Sequence, residues 1–403
     1  MTAPLPVPIM AFENMTWFLE RVLEYILQPY ESRDTFLHAI SHGVRAFVEP
    51  HSKTGWLYLL SSMLIAGGIF VVNKKRFLID PTMPFLKFLC PREVYLHPSA
   101  LVDYQYVAVD STIKMLVYTP LISGLSYVSY KGILYARTFL PLELLTVGSP
   151  TAPLLATLVA VLVMDFGFFY GHYLAHKIPL FWYFHQVHHS AEVLTPITVY
   201  RTHPVEECVA TVASSIVAAL GTIIFMTGSS SPVSLVTVFE LNLFMFLFFF
   251  CAYQLRHSHI WLSYGPVLSR IFISPAQHQI HHSKDPNHHD KNYGFVFSIW
   301  DGLFGSLYIP RSQESLKFGL SGMDPHDFSS VSKLYFLPFA KAGRHFVEWI
   351  CEHRRGTSSL SDRVPVETLP QVRTTQSSIA LPQPQNHHSL LSNVSLVHKE
   401  RRS

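Results

Sequence analysis

Histidine is the residue type whose spacing points most directly to chemistry in this sequence. The chain has 23 histidines among 403 residues, and thirteen of them lie between His172 and His289. Eight of them form three groups with helical spacing: His172 and His176; His185, His188 and His189; His278, His281 and His282. Residues three or four apart lie on one face of a helix, with Cβ atoms about 5–6 Å apart. The imidazoles of each group can therefore converge on a metal ion.

Local sequence signals place the second and third groups on short helices. Pro179 suits the first turn of a helix that would carry the second group. Ahead of the third group, Ser274 can cap a helix, Pro275 fits its first turn, and Gln277 completes a capping box. We therefore predict that the third group lies on the first turns of a well-defined helix.

The number of imidazoles predicts a centre with two metal ions, because eight are too many for one ion. Imidazole suits Zn, Cu, Fe and Ni, so the ligand type alone does not select the metal. A structural zinc site would use four ligands and would usually recruit cysteine. The four cysteines are scattered and form no CxxC pair, and the HExxH motif of zinc proteases is absent.

Other polar residues are candidates for the same site. His203 and His257 are predicted as additional ligands or as residues next to ligands, with ordinary hydrogen bonding as the alternative. Asp165 lies two helical turns before His172, and a carboxylate inside an apolar span needs a partner. It could orient His172 through the second ring nitrogen, or make a purely structural hydrogen bond. Four further acids could serve as such partners: Glu206, Glu207, Asp290 and Asp301.

The composition indicates a membrane protein. Hydrophobic residues make up 49% of the chain and charged residues 14%, and the mean hydropathy is +0.24. Soluble domains carry about 25% charged residues, so this chain is short of polar surface. The net charge of +3 gives a nucleic-acid partner no electrostatic support.

Five apolar stretches are candidate membrane spans: 55–73, 116–134, 152–170, 209–227 and 232–253. Lys74, Lys75 and Arg76 follow the first stretch and predict that its end faces the cytosol. With that orientation, all three histidine groups face the cytosol. The stretch 116–134 contains Pro120 and is either a span or an interfacial helix, so the count is five or four.

These features together predict an all-α fold, a multi-pass transmembrane helical bundle with a cytosolic, histidine-rich helical cap. Residues 1–52 form an N-terminal amphipathic region. Residues 53–352 form the membrane domain, with a catalytic histidine core at about 160–308. Residues 353–403 are rich in Ser, Thr, Gln and Pro and are predicted to be disordered.

The segment from Asp165 to Tyr308 resembles the fatty acid hydroxylase and sterol desaturase superfamily of membrane di-iron enzymes. The resemblance is carried by the three histidine groups in their order and by four flanking motifs: Arg201-Thr-His-Pro-Val-Glu206, Ser274-Pro275, Asn292-Tyr-Gly294 and Trp300-Asp-Gly-Leu-Phe-Gly305. Three positions depart from the family's usual residues, namely Phe169, Tyr173 and His259. These departures leave the subfamily and its substrate open.

The resemblance implies that the histidines hold two iron ions and that the enzyme uses O2 to hydroxylate or desaturate a sterol, fatty acyl or related lipid. The chain has no haem motif and no GxGxxG loop, so electrons are expected from an external donor, a reductase or a cytochrome b5-like protein. The expected location is the endoplasmic reticulum membrane in a eukaryote or the inner membrane in a bacterium. The alternative is a histidine-rich membrane metal transporter or metal-binding protein. It has less support, because transporters place ligands near the membrane midplane and these groups lie just beyond span ends.

Overall fold

The computed structural model describes residues 15–45, 49, 52, 54–120, 123, 124, 127, 152–227, 235–322, 324 and 326–354, and these residues are mainly helical. The helices in chain order are α1 (Met15–Leu27), α2 (Arg33–Arg45), α3 (Trp56–Lys75), α4 (Phe85–Leu89), α5 (Arg92–Tyr95), α6 (Pro98–Ile113), α7 (Ala152–Lys177), α8 (Pro179–His189), α9 (Pro204–Thr227), α10 (Leu243–Phe250), α11 (Gly265–Leu268), α12 (Pro275–His281), α13 (Ile299–Phe304) and α14 (Val331–Arg354). A two-stranded antiparallel hairpin, β1 (Thr237–Val238) and β2 (Leu241–Asn242), precedes α10. The prediction of a helical fold is confirmed.

Two of the described helices are long and apolar enough to cross a membrane. They are Trp56–Lys75 and Pro153–Lys177, and they contain the predicted spans 55–73 and 152–170 almost completely. The predicted span 209–227 lies within α9, whereas 116–134 falls largely outside the described residues. The number of spans therefore stays a prediction.

The prediction that 232–253 is a single span is wrong. Its described part contains the hairpin and then α10, which has eight residues and is about 12 Å long, well short of a bilayer of about 30 Å. Phe239 and Glu240 have positive φ angles of 48° and 65° and form the hairpin turn. The side chain of Asn242 accepts a hydrogen bond from Phe244 N and starts the helix there.

The chain divides into two compact units, Met1–Ile350 and Cys351–Ser403. Of the second unit, only the residues at the end of α14 are described. The predicted disordered tail 353–403 otherwise lies outside the described residues. Helices α1 and α2 lie in the predicted N-terminal amphipathic region.

Small residues allow α7 and α9 to pack closely. A Cβ atom added to Gly167 would lie 2.6 Å from Ser214 Cα, and one added to Gly171 would lie 3.4 Å from Ala210 Cα. Real Cβ atoms do not approach another atom to 2.6 Å, so only glycine fits at position 167 without a shift of the backbone. This contact brings the end of α7, which carries the first histidine pair, next to the start of α9.

A buried ion pair fixes the segment between α8 and α9. Arg201 Nη1 donates to Asp103 Oδ1 of α6 at 2.7 Å, and each side chain is only 1% exposed. The same guanidinium donates to Val187 O at 3.0 Å, to Ser190 Oγ at 2.8 Å and to Phe328 O at 3.2 Å. A buried charge is tolerated when it is paired and its remaining hydrogen bonds are satisfied. Arg201 therefore joins α6, the end of α8 and the segment before α14.

We expect Gly167→Ala to destabilise the protein by about 1–3 kcal/mol, because the added methyl group overpacks the contact with Ser214. Thermal unfolding of the detergent-solubilised protein measures this. Gly68→Ala in α3 is the matched control, since an added Cβ there has no heavy atom of the described residues within 4 Å. Equal unfolding temperatures for the two variants would contradict the close packing of α7 and α9.

Candidate metal centre

Five histidines form a first cluster. Their ligand nitrogens all lie within 4.8 Å of one another, and the members are His172, His176, His185, His189 and His281. They come from α7, α8 and α12. All five belong to the histidine groups predicted from the sequence.

Four histidines form a second cluster: His188, His257, His278 and His282. His257 ends a short 3₁₀ turn, Tyr253–His257, that follows α10. Each sequence triplet is divided between the two clusters, with one triplet giving His188 to the second cluster and the other giving His281 to the first. The rings of His189 and His282 stack across the boundary with centroids 4.7 Å apart. The clusters are therefore neighbours that share the same helices.

The capping box predicted before the third group is present. Ser274 Oγ accepts from Gln277 N at 3.3 Å, and Gln277 Oε1 accepts from Ser274 N at 2.9 Å. Gln277 Nε2 also donates to Ser269 O at 3.0 Å. These bonds fix the start of α12, which sets the positions of three cluster histidines on its seven residues and C-cap.

The outer ring nitrogens of three cluster histidines face backbone carbonyls. His172 Nδ1 lies 2.8 Å from Tyr293 O, His188 Nδ1 lies 3.1 Å from Arg201 O, and His281 Nδ1 lies 2.8 Å from Lys291 O. A carbonyl oxygen can only accept, so each Nδ1 carries the hydrogen and donates it. In the neutral rings the inner nitrogen, Nε2, then presents a lone pair.

His185 is held in the same way by a carboxylate. Its Nδ1 donates to Glu206 Oε1 at 2.7 Å. Glu206 lies in the first turn of α9 and is one of the four acids proposed as partners from the sequence. A carboxylate behind a ligating imidazole fixes its tautomer and makes it a stronger donor to a metal.

The inner nitrogens of neutral His172 and His185 therefore face each other with no hydrogen between them. His172 Nε2 and His185 Nε2 lie 3.1 Å apart, and neither can donate to the other. His176 Nε2 and His281 Nε2 are buried and have no hydrogen-bond partner among the described residues. A buried polar atom without a partner calls for an explanation such as a bound ion. Nitrogens about 2.1 Å from a shared ion and at right angles around it would lie about 3 Å apart, so the donor set fits a metal.

The second cluster converges on His257. Its Nε2 lies 3.4 Å from His188 Nε2, 3.2 Å from His282 Nε2 and 3.0 Å from His278 Nε2. His257 was one of the two less certain ligands, and the structure places it inside the cluster.

Arg256 distinguishes the second cluster from the first. Its Nη2 donates to His278 Nδ1 at 2.9 Å, and Nη1 donates to Phe295 O at 2.8 Å. Guanidinium groups have no acceptor, so His278 Nδ1 must accept. The neutral His278 ring then carries its hydrogen on Nε2, which can donate to His257 Nε2 at 3.0 Å. Neutral His278 could bind a metal through Nε2 only if this hydrogen moved to Nδ1 and the bond from Arg256 were lost. Arg256 directly precedes His257 in the chain, yet its role was not predicted from the sequence.

Asp165 makes structural hydrogen bonds and does not orient His172. Its carboxylate accepts from Val296 N at 2.7 Å, from Phe297 N at 3.0 Å and from Trp300 Nε1 at 3.0 Å. It therefore fixes the backbone that follows Tyr293, whose carbonyl accepts from His172. The structural alternative considered for Asp165 is the one that the geometry supports.

His203 lies outside both clusters. Its Nε2 donates to Tyr335 O at 3.0 Å, and its Nδ1 accepts from Val205 N at 3.1 Å. Both ring nitrogens are thus occupied by backbone groups, and neither is available to an ion. The expectation that His203 adds a ligand is not supported by this geometry.

Burial favours the neutral, metal-binding form of five cluster histidines. It lowers the pKa of His281 to about 3. Burial also lowers the pKa of His188, His189, His278 and His282 well below the usual value. Neighbouring imidazoles lower these pKa values further, since two adjacent rings cannot both be charged.

A cavity of about 190 Å³ adjoins both clusters. Much of its wall is apolar and includes Phe168, Phe184, Val209, Tyr253 and Phe295. Its polar wall residues outside the clusters include Thr202, Glu206, Glu207 and Arg256. A mainly apolar cavity with a few polar groups is the usual form of a binding site for a small organic ligand.

Residues 157–306 match the family model described as Fatty acid hydroxylase. This segment is a fatty acid hydroxylase domain. The resemblance predicted from the histidine groups and their flanking motifs is confirmed. No solved structure matches the chain.

Three curated relatives match between 156 and 187 residues of the chain. The chain is 30% identical over 156 residues to alkylglycerol monooxygenase of Caenorhabditis elegans, and this alignment covers 39% of this chain and 28% of the relative. It is 30% identical over 187 residues to ornithine lipid hydroxylase of Rhizobium tropici, covering 46% and 51%. It is 30% identical over 162 residues to human alkylglycerol monooxygenase, covering 40% and 32%. The chain thus spans about a third to a half of the length of these relatives.

We expect Glu206→Ala to weaken metal binding by the fatty acid hydroxylase domain about 10- to 100-fold, because His185 loses the acceptor that orients it. Competition with a chelator, followed by measurement of the bound metal, gives the affinity. Glu348→Ala in α14 is the matched control, because Glu348 is exposed and lies outside the clusters. Unchanged affinity in Glu206→Ala would show that His185 needs no carboxylate.

Acidification should destabilise the metal-free domain. The pKa of His281 is about 3 in the folded protein and about 6.5 when unfolded, so the folded state binds fewer protons between these values. Stability from this group is therefore fully present above pH 6.5 and is lost as the pH falls toward 3. Thermal unfolding of the metal-free protein at decreasing pH measures the slope. His281→Gln should reduce the slope, whereas His326→Ala in an exposed loop should leave it unchanged.

Proposed function

We propose that this chain is a membrane-bound, non-haem di-iron monooxygenase that uses O2 to hydroxylate a lipid. The observation that carries the proposal is the set of nine imidazoles, seven of them buried, whose ring nitrogens converge in two neighbouring clusters. Support for lipid hydroxylation comes from the fatty acid hydroxylase domain and from relatives named as monooxygenases and hydroxylases.

Iron is the metal that best fits this reaction. Cleavage of an unactivated C–H bond needs an oxidant stronger than any side chain, and a pair of iron ions would supply it when bound. The first cluster would hold one ion and the second cluster the other. Neutral imidazole is a suitable ligand for iron.

The chain's own residues orient the ligand rings, bind the substrate and exclude water from the cavity. Glu206 and the carbonyls of Tyr293 and Arg201 hold the ligand rings in fixed tautomers. The apolar wall of the cavity favours a hydrocarbon over water beside the metal centre. Cluster residues and wall residues together line one cavity, so a lipid bound there would have its C–H bonds next to the ligands.

We place the centre at the boundary between lipid and water. The first histidine pair lies near the end of α7, which is apolar enough to span a membrane and is followed by Lys177. A site at that depth can receive a hydrophobic substrate from the bilayer and electrons from a soluble or membrane-bound donor. A cytosolic orientation, with a reductase or a cytochrome b5-like protein as the donor, fits the basic residues at the end of α3.

We expect His188→Ala and His281→Ala to abolish turnover, since each removes a ligand from a different cluster. Both variants should still insert into the membrane, because the apolar helices are unchanged. The test is iron content and O2-dependent oxidation of lipids by the purified protein with a chemical reductant. His326→Ala, outside both clusters, serves as the control.

Retained lipid oxidation in either ligand variant would contradict the assignment of that cluster. A protein that binds iron and oxidises no lipid in the presence of O2 and reductant would instead favour a metal-binding or transport role.

A further inference from the structure

One carboxylate in the cavity wall is not used to hold a cluster histidine. Glu207 lines the cavity together with Thr202 and Glu206. Glu206, the preceding residue on α9, contacts His185 of the first cluster at 2.7 Å. Glu207 therefore lies one residue along the chain from the support of a proposed metal ligand.

Two donors hold Glu207, and both use the same oxygen atom. Lys114 Nζ donates to Glu207 Oε1 at 2.5 Å, and Thr202 Oγ1 donates to it at 2.8 Å. The hydrogen bonds of the described residues include none to Glu207 Oε2. The side chain is 31% exposed, so Oε2 can meet a ligand. Because the Thr202 hydroxyl hydrogen is already donated, its oxygen also offers only lone pairs to the cavity.

The charges around Glu207 do not cancel. Lys114 Nζ is shared with Asp110, whose Oδ2 lies 2.7 Å away, so two carboxylates share one ammonium group. Asp110 is held in place by a hydrogen bond from Tyr335 OH at 2.7 Å. This side of the cavity therefore carries one net negative formal charge and presents acceptors only. A ligand carboxylate there would be repelled, whereas a hydroxyl or ammonium group would be bound.

We infer that Glu207 and Thr202 bind a hydrogen-bond donor in the polar part of the lipid substrate. The inference rests on the proposed function and deepens it, because it names the substrate class. The substrate is a lipid that carries a hydroxyl or ammonium group close to the carbon that is oxidised, and it is not a free fatty acid. Glu207 determines specificity by accepting from that group through Oε2.

The test measures ligand binding and needs no turnover. The full-length protein in nanodiscs is titrated with four probes that have the same alkyl chain: hexadecyl glyceryl ether, its dimethyl ether, hexadecylamine and hexadecanoic acid. The dimethyl ether has the same oxygens but no donor. In the native protein we expect the glyceryl ether, the amine or both to bind at least about ten-fold more tightly than the dimethyl ether, since one charge-assisted hydrogen bond is worth about that factor.

Glu207→Gln should remove most of this preference and strengthen the binding of hexadecanoic acid, because the repelling charge is gone. Thr202→Val is a second variant that should weaken the preference without changing the charge. Glu348→Gln on the exposed face of α14 is the matched control and should change none of the four affinities. The comparison of the glyceryl ether with the amine shows which donor the site takes.

Equal binding of the glyceryl ether, the amine and the dimethyl ether by the native protein would overturn the inference, and this result does not depend on how any variant folds. A preference that survives in Glu207→Gln would also overturn it. Failure of the proposed function shows up separately, as absence of lipid oxidation by the iron-loaded protein. Donor-dependent binding without lipid oxidation would support the inferred lipid-binding site and contradict the proposed monooxygenase function.

Discussion

Repulsion between converging lone pairs is the constraint on which the rest of this structure depends. His172 and His185 bring their inner nitrogens to 3.1 Å, and their outer nitrogens already donate elsewhere. In the neutral rings neither inner nitrogen carries a hydrogen, so neither can donate to the other. A cation shared between them removes the repulsion. Around His257 three inner nitrogens approach within 3.4 Å, and there the hydrogen on His278 Nε2 can relieve one of the contacts.

The fold meets this constraint by fixing the outer partners of the rings. Those partners are mostly backbone carbonyls in loops, and buried charged side chains hold the loops. Asp165 and Asp301 accept hydrogen bonds from the backbone of residues 293–297, and Arg201 is paired with Asp103. The cost of burying these charges is offset because their hydrogen bonds are satisfied. These buried charged side chains position the backbone carbonyl groups, and the carbonyl groups in turn fix the orientation of the histidine rings.

The histidines of the three groups lie on helices or directly at their ends, whereas most of their outer partners lie in loops that distant residues hold. This difference explains what the sequence could and could not predict. Helical spacing and the capping box at Ser274 are local signals, and they located all eight histidines of the three groups. The partition of each triplet between two clusters depends on how α8 and α12 face each other, which no local signal encodes. His203 had a motif as suggestive as that of His257, yet backbone groups occupy both of its nitrogens. The apolar run at 232–253 was misassigned because one asparagine cap and one tight turn outweigh its hydrophobicity.

The two clusters also differ electrostatically, and the difference arises from their outer partners. In the first cluster, the carboxylate of Glu206 faces His185 and increases the electron density of that ring. In the second cluster, the guanidinium of Arg256 faces His278 and withdraws electron density from it. Both groups line the same cavity. Two ions bound here would thus meet unequal fields across one substrate site, with the net negative side of the cavity near Glu206 and Glu207 and the positive side at Arg256. A hydrogen-bond donor of a bound lipid would be attracted to the side near Glu206 and Glu207. This attraction would orient the alkyl chain of the lipid relative to both ions.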